Sequence, residues 1–247
     1  MAHSYYIAAH PDDALIFRGQ QVFIDQHTPN VQIVHITTTA GDAGRTDGWW
    51  QEREQGTVAA LNGTMGDPAV TTESVTVGGR LLTRRRAANW YLYPLRLPDG
   101  GLDGQGFGHG SLTKLQSGQI SSLTPVDSTP AYNGWSAVVS TVRAIIAKHR
   151  GVGETPWVNT SEPNHTLNPG DHPDHYATAD AVDTIAGTDG LNAWYYVGYD
   201  TENRPPNVGG FDLEAKRFLF AEYGWQTGGP NEQEWAWWGG RDYGRAR

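Results

Sequence analysis

Cysteine is absent from the 247-residue sequence. Its absence excludes a disulfide framework, a thiol nucleophile and any metal site that uses cysteine ligands. A metal ion would therefore have to be held by histidine, aspartate and glutamate side chains. Because thiols and disulfides are both missing, the sequence gives no information about the redox compartment.

Long apolar runs and an excess of positive charge are also absent. No stretch approaches the roughly 20 apolar residues of a membrane span, and the start, MAHSYYIAAH, lacks the basic and apolar regions of a secretory signal. Lysine and arginine number 18 against 27 acidic residues, which gives a net charge of -9. Such a charge repels nucleic acid and anionic membranes. We expect a cytoplasmic protein that acts on a small molecule, although a mature secreted form would look the same.

Apolar side chains make up 38% of the residues, as in ordinary globular proteins. In the first 65 residues, apolar strands at 5–9 and 31–38 alternate with helical periodicity after Pro11 and over 50–61. This alternation predicts right-handed crossovers and a parallel sheet. Ligands bind to such sheets beyond the carboxyl ends of the strands.

The rest of the sequence continues the α/β pattern around long loops. Further strands are predicted at residues 72–77, 90–97, 157–160 and 194–197, and further helices at 138–146, 179–186 and 211–221. Residues 98–133 are rich in glycine and serine and are interpreted as loops near the site. The predicted fold is therefore α/β, a single Rossmann-like domain over residues 1–247 with a mostly parallel sheet flanked by helices.

Two of the predicted strand-to-helix junctions carry nearly the same tetrapeptide, His-Pro-Asp-Asp at residues 10–13 and His-Pro-Asp-His at 172–175. A catalytic zinc takes three nitrogen or oxygen ligands from the protein and keeps one position open. Two ligands three residues apart at a helix start can face one ion, and a third can come from a distant junction. Either tetrapeptide alone is more often a first-turn proline with a capping aspartate. Two such junctions in one α/β chain favour a metal site.

The pattern Ala-His-Pro-Asp-Asp after the first strand, with His-Pro-Asp-His before a later helix, resembles the PIG-L (LmbE-like) family of zinc N-deacetylases. That family includes deacetylases of GlcNAc-phosphatidylinositol, of mycothiol and bacillithiol precursors, and of some glycopeptide and aminoglycoside antibiotics. The resemblance extends over about residues 4–200. It implies that His10, Asp13 and His175 bind the metal, and two histidines with one aspartate accommodate either Zn2+ or Fe2+.

The resemblance also implies catalytic roles for the other polar residues of the two motifs. Asp12 would be the general base that takes a proton from the attacking water. His172 would stabilise the oxyanion or protonate the leaving amine, and Asp174 would orient and charge His172. Hydrolysis of an amide requires these same parts, namely an activated water, an oxyanion partner and an acid for the nitrogen.

Two further positions match the family more loosely. Arg53 resembles an arginine that the family directs at sugar hydroxyls or a phosphate, and Asp99 resembles an aspartate that hydrogen-bonds sugar hydroxyls. The ordinary alternatives are a solvated helix charge for Arg53 and a turn residue for Asp99. The sequence departs from the family at Ala14, where a glutamate usually completes the first motif. We expect this change to affect support of the ligands and metal affinity.

The resemblance implies a zinc-dependent hydrolase that removes an N-acetyl or other N-acyl group from an amino sugar, such as a GlcNAc-containing glycoside. An amidase or deacylase of bulkier N-acyl or amide conjugates would use the same chemistry and stays open. A different class is a non-catalytic carbohydrate-binding protein, in which some of the ten tryptophans stack on sugars. The ordinary alternative for those tryptophans is packing within a loop-rich C-terminal region. Asp12 and His172 favour the enzyme.

Overall fold

The computed structural model describes residues 1–247 and consists of a central sheet with helices on both of its faces. The helices are α1 (Asp13–His27), α2 (Trp49–Gly63), α3 (Leu112–Gln116), α4 (Trp135–His149), α5 (Pro173–Asp189), α6 (Gly210–Gln226) and α7 (Glu232–Glu234), with a 3-10 helix at Tyr199–Asn203 and a π-helix at Trp235–Gly239. The strands are β1 (Ala2–Ala8), β2 (Val31–Thr39), β3 (Thr71–Val77), β4 (Arg80–Ala87), β5 (Trp90–Leu97), β6 (Ser122–Leu123), β7 (Tyr132–Asn133), β8 (Trp157–Ser161), β9 (Asn192–Tyr196) and β10 (Gly244–Ala246).

The main sheet has eight strands in the order β10-β9-β8-β1-β2-β5-β4-β3. Its centre, from β9 to β5, is parallel. The edge strands β10, β4 and β3 run antiparallel to their neighbours. The predicted α/β fold with a mostly parallel sheet is therefore confirmed. No helix combines the length and the hydropathy that crossing a membrane would require.

Alternate side chains of the central strands enter two apolar layers. Tyr5 and Ile7 of β1 belong to the larger layer, which α4 and α5 cover, whereas Tyr6 and Ala8 belong to the layer beneath α1, α2 and α6. Successive side chains of a strand point to opposite faces, so a strand covered on both faces is apolar throughout. This explains the continuous apolar run at residues 5–9 in β1, whereas β2 is rich in β-branched residues but also contains Gln32 and His35.

One strand of the main sheet that the sequence analysis missed is β4, which lies between the strands predicted at 72–77 and 90–97. Its three consecutive arginines hid the strand pattern. Gly78 and Gly79 both adopt positive φ, 57° and 82°, and form the two-residue turn that joins β3 to β4. Across this hairpin, Glu73 accepts hydrogen bonds from arginines of β4. The hairpin gives the sheet its antiparallel edge.

The order of the strands places a crevice between β1 and β8. The chain leaves β1 through α1 toward β2 and leaves β8 through α5 toward β9, in opposite directions along the sheet. Ligand sites of parallel sheets form at such a switch point, beyond the carboxyl ends of the strands. Residues 10–13 follow β1 and residues 172–175 begin α5, so both motifs lie at this crevice.

Candidate active site

The two motifs meet in the crevice between β1 and β8. His10 Nδ1 lies 3.1 Å from His175 Nε2 and 3.4 Å from Asp13 Oδ1. The distance from His175 Nε2 to Asp13 Oδ1 is also 3.1 Å. All three side chains are buried. The structure therefore brings the three residues predicted as metal ligands to one point.

The spacing of these three donor atoms fits a metal ion. Ligand atoms that each lie about 2.0–2.1 Å from a tetrahedral zinc are about 3.3 Å from one another. The observed separations of 3.1–3.4 Å agree with that value. Two imidazole nitrogens and one carboxylate oxygen are a donor set that both zinc and iron(II) accept. His10, Asp13 and His175 would hold such an ion.

The electrostatics of this cluster also favour a cation. Burial by itself lowers the pKa of His10, but attraction to Asp13, Asp174 and Asp99 outweighs burial and raises that pKa to about 10. His175 behaves in the same way, because Asp13 and a second aspartate raise its pKa despite its burial. Without another cation, protons must supply the positive charge of the cluster. A divalent ion would bind in competition with these protons.

The second aspartate is Asp171, which the sequence analysis missed. Its Oδ1 atom lies 2.9 Å from His175 Nδ1, the ring nitrogen that faces away from His10 and Asp13. Asp171 also accepts hydrogen bonds from the Asn168 side chain and the Tyr199 amide. A carboxylate in this position fixes the tautomer and the orientation of a metal-binding histidine. The available signal was an aspartate directly before the second motif.

The other nitrogen of His10 faces Asp174. His10 Nε2 lies 3.5 Å from Asp174 Oδ2 and 3.9 Å from Asp99 Oδ2. Asp174 is completely buried and accepts a 2.8 Å hydrogen bond from the Gly100 amide. A Cβ atom at residue 100 would lie only 2.7 Å from Asp174 Oδ1, so this close approach requires glycine. Asp174 therefore supports His10 from the side opposite Asp13.

His172 caps the N-terminus of α5 and faces the pocket. Its Nδ1 atom accepts a 3.1 Å hydrogen bond from the Asp174 amide, so a neutral ring carries its proton on Nε2. Nε2 lies 3.6 Å from Asp99 Oδ1. The Asp174 carboxylate is farther from Nδ1, at 3.8 Å, so the amide of Asp174 orients the ring. Burial and repulsion by His10 and His175 lower the pKa of His172 to about 3.

Asp12 lies beside the cluster at the N-cap of α1, and Arg53 holds it there. The Arg53 Nη2 atom donates to Asp12 Oδ1. The other two nitrogens donate to the Gly41 carbonyl, at 2.7 Å, and to the Tyr223 hydroxyl, at 2.8 Å. Gly41 has a φ of 58°, and a Cβ atom there would collide with the guanidinium. Every nitrogen of Arg53 thus already donates to the protein, although its side chain borders the pocket.

A pocket of about 540 Å³ opens above these residues. His10, Asp12, Asp13, Asp99 and His172 line its floor. The C-terminal segment of the chain supplies one wall, which includes Phe220, Tyr223, Glu234 and Trp238. Small-molecule sites commonly have volumes of about 300–1,000 Å³, so the pocket has room for a sugar.

Of the ten tryptophans, Trp49 and Trp238 line this pocket. Trp238 stacks on Tyr199 with a ring separation of 4.8 Å and an interplanar angle of 8°. Trp50, Trp225, Trp235 and Trp237 lie outside the lining. Most of the tryptophans therefore do not form one continuous platform at the site.

Comparisons with known proteins agree with this geometry. The sequence matches the PIG-L family model, described as GlcNAc-PI de-N-acetylase, over residues 5–186. No curated protein sequence matches the chain. The matched segment contains both motifs and ends before α6, so the C-terminal wall of the pocket lies outside it.

Several solved structures share the fold. They include a deacetylase–bog complex from teicoplanin biosynthesis, with 16% identity over 92% of this chain and 84% of that chain and a TM-score of 0.56. A deacetylase–teicoplanin complex shows 14% identity over 90% and 86% of the two chains, with a TM-score of 0.55. The zinc-inhibited form of teicoplanin deacetylase Orf2 shows 14% identity over 90% and 84%, with a TM-score of 0.54. The family match covers most of the sequence, and the chain belongs to the PIG-L family.

Proposed function

We propose that the protein is a metal-dependent hydrolase that removes an N-acetyl group from an amino sugar. The observation that carries this proposal is the convergence of His10, Asp13 and His175 within 3.4 Å of one another beside a pocket that Asp12 and His172 also line. Membership of a family described as de-N-acetylases supports it. The fold neighbours named above, which are deacetylases, are consistent with it.

The reaction needs a water molecule that attacks the amide carbon. When bound, a divalent ion would lower the pKa of a water and stabilise negative charge on the carbonyl oxygen. Asp12 is the proposed base, because its carboxylate borders the pocket next to Asp13 without belonging to the ligand cluster. The hydrogen bond from Arg53 fixes the orientation of this carboxylate. We therefore assign Arg53 to the positioning of Asp12, and the sugar contact implied by the resemblance stays a prediction for this residue, which lines the pocket.

His172 is the proposed oxyanion partner. Its Nδ1 atom is occupied by the Asp174 amide, which leaves an N–H on Nε2 to donate toward the pocket. As the C–N bond breaks, the proton that Asp12 took from water passes to the leaving nitrogen. Asp174 acts on both histidines, through its amide on His172 and through its carboxylate on His10.

Asp99 is the proposed contact for sugar hydroxyls. Its carboxylate borders the pocket and lies 3.6 Å from His172 Nε2. One oxygen accepts a 2.7 Å hydrogen bond from the Gly101 amide, which fixes the side chain while leaving acceptor capacity. A hydroxyl next to the acetamido group could donate to this carboxylate during the reaction.

The experiment is to measure acetate release from N-acetylglucosamine and its glycosides by protein purified without chelator. We expect about one equivalent of a divalent metal, acetate release that a chelator abolishes, and recovery after zinc or iron(II) is added. Turnover of only long-chain N-acyl glucosamines would replace the acetyl substrate with a bulkier one. Metal-loaded protein that hydrolyses none of these amides would contradict the proposal, and sugar binding without turnover would favour a carbohydrate-binding protein.

A further inference from the structure

Glu234 adds a carboxylate to the C-terminal wall of the pocket. It is the last residue of α7 and lines the pocket together with Asp12, Arg53 and Tyr223. The wall lies outside the segment that matches the family, so no family motif assigns a role to this residue. Glu232, two positions earlier, is exposed and pairs with Arg217 outside the pocket. Of these two glutamates, only Glu234 lines the pocket.

Acidic side chains outnumber basic ones in the pocket lining. Its carboxylates belong to Asp12, Asp13, Asp99 and Glu234. Arg53 is the single lysine or arginine in the lining, and its ion pair is with Asp12. A divalent ion held by His10, Asp13 and His175 would offset charge at the floor. It would leave Glu234, on the wall, without a cationic partner of its own.

The surroundings of Glu234 destabilise its ionised form. Partial burial, followed by the negative charge of Asp12, raises the pKa of Glu234 to about 7, although Arg53 and Asn231 act in the opposite direction. A ligand that donates hydrogen bonds or carries positive charge would stabilise the ionised form of such a carboxyl group. A phosphate or carboxylate at the same place would add another negative charge.

We propose that Glu234 is a specificity-determining residue that accepts hydrogen bonds from hydroxyl or ammonium groups of the bound saccharide and disfavours anionic substituents. The inference rests on the proposed function, because the saccharide is the substrate of that reaction. It assigns to the pocket neutral or cationic amino sugars in preference to phosphorylated or carboxylated ones. Trp238, on the same wall, adds an aromatic side chain to the lining.

The test uses three sugars that differ at one carbon: N-acetylglucosamine, its 6-amino-6-deoxy derivative and its 6-phosphate. Binding is followed by intrinsic tryptophan fluorescence, since Trp49 and Trp238 line the pocket, and acetate release is measured in parallel. We expect the parent protein to bind the neutral and the amino sugar more tightly than the phosphate. In Glu234→Gln, the ratio of affinities for the amino sugar and the phosphate should fall roughly tenfold.

Two variants separate the charge of Glu234 from other effects. Glu232→Gln removes the same charge from the same short helix outside the pocket, so it should keep the parent ratio. Glu234→Asp keeps the charge and should also retain most of the discrimination. Equal ratios in Glu234→Gln and Glu232→Gln would overturn the assignment of Glu234.

The binding and turnover measurements distinguish this inference from the proposed function. If Glu234→Gln lowers the ratio of affinities for the amino sugar and the phosphate, but no sugar releases acetate, the result would support the role of Glu234 and contradict the hydrolase. If acetate is released but Glu234→Gln leaves that ratio of affinities unchanged, the result would support the hydrolase and contradict the role of Glu234. If the parent protein binds none of the three sugars, the role of Glu234 is wrong, and acetate release from the glycosides of N-acetylglucosamine decides the hydrolase separately.

Discussion

His10 Nδ1 and His175 Nε2 lie 3.1 Å apart although 165 positions separate the two residues in the chain. The distance is short because β1 and β8 are adjacent parallel strands, so the segments after them reach the same edge of the sheet. Two imidazoles and the Asp13 carboxylate at this spacing form a cluster that could hold a cation. Residues that orient these side chains should therefore control metal affinity.

Asp171→Asn tests that dependence. The carboxylate of Asp171 accepts from His175 Nδ1, and an amide there would no longer favour the tautomer that leaves Nε2 free for the metal. We expect zinc affinity to fall roughly 10- to 100-fold, measured by competition with a chromogenic chelator. Asp180→Asn, at an exposed position of α5 where the side chain accepts from Gln116, should leave the affinity unchanged. Equal affinities in the two variants would show that Asp171 does not support the site.

Asp12→Asn tests the division between ligands and general base. The variant nearly keeps the shape of the side chain but loses the carboxylate that takes a proton from water. We expect full metal content and a loss of activity of roughly 100- to 10,000-fold. Asp13→Ala removes a ligand instead, so metal content itself should fall and activity should partly return in excess zinc. If Asp12→Asn turns over substrate at the parent rate with full metal, the base is another group, and His172 becomes the better assignment.

The fold and the central cluster could be predicted because their signals are local in sequence. Apolar strands alternate with helical periodicity, and the rules for crossover connections bring the carboxyl ends of parallel strands together. His10 lies two residues after the end of β1, and His175 lies in the first turn of α5, the helix that follows β8; each belongs to a motif of four residues. No knowledge of side-chain contacts was needed to expect that they meet.

The supporting residues could not be predicted, because each acts through contacts that leave no periodic pattern. Arg53 and Tyr223 are 170 positions apart and meet only because α2 packs against α6. Glu234 reaches the pocket from a C-terminal segment with no recognisable motif. The hydrogen bonds of Arg53 could not be predicted for the same reason, since the sequence did not show that Gly41, Tyr223 and Asp12 would accept them.

The adjacent residues Trp237 and Trp238 offer a matched pair for the role of the aromatic wall. Trp238 lines the pocket and stacks on Tyr199, whereas Trp237 is partly exposed and lies outside the lining. We expect Trp238→Ala to lower kcat/KM for an N-acetyl sugar roughly 3- to 10-fold, mainly through KM, because an aromatic face is lost from the binding surface. Trp237→Ala should leave kcat/KM near the parent value. Equal losses in both variants would mean that the effect comes from general disturbance of the π-helix.

Lys216 links the C-terminal wall to the pH dependence of stability. This residue of α6 is completely buried, and its Nζ atom donates to the carbonyls of Trp238 and Arg241. Burial lowers its pKa from 10.5 to about 7, even though Asp242 favours the charged form. Between these two pKa values the unfolded chain binds the proton and the folded chain does not. The free energy of unfolding should therefore rise with pH in that range, and this contribution is lost as the pH falls from 10.5 to 7.

Lys216→Met removes the titrating group, so this pH dependence should disappear. We expect the difference in unfolding free energy, parent minus variant, to rise by up to about 1.4 kcal/mol per pH unit between roughly pH 7 and 9. Below about pH 6 the difference should be constant, since the amine is then protonated in both states. The measurement is chemical denaturation of both proteins at several pH values with metal at saturation. Lys148→Met, at an exposed position of α4, should follow the parent curve. A difference between the parent and Lys216→Met that does not change with pH would mean that Lys216 stays charged inside the fold, held by the two carbonyls and Asp242.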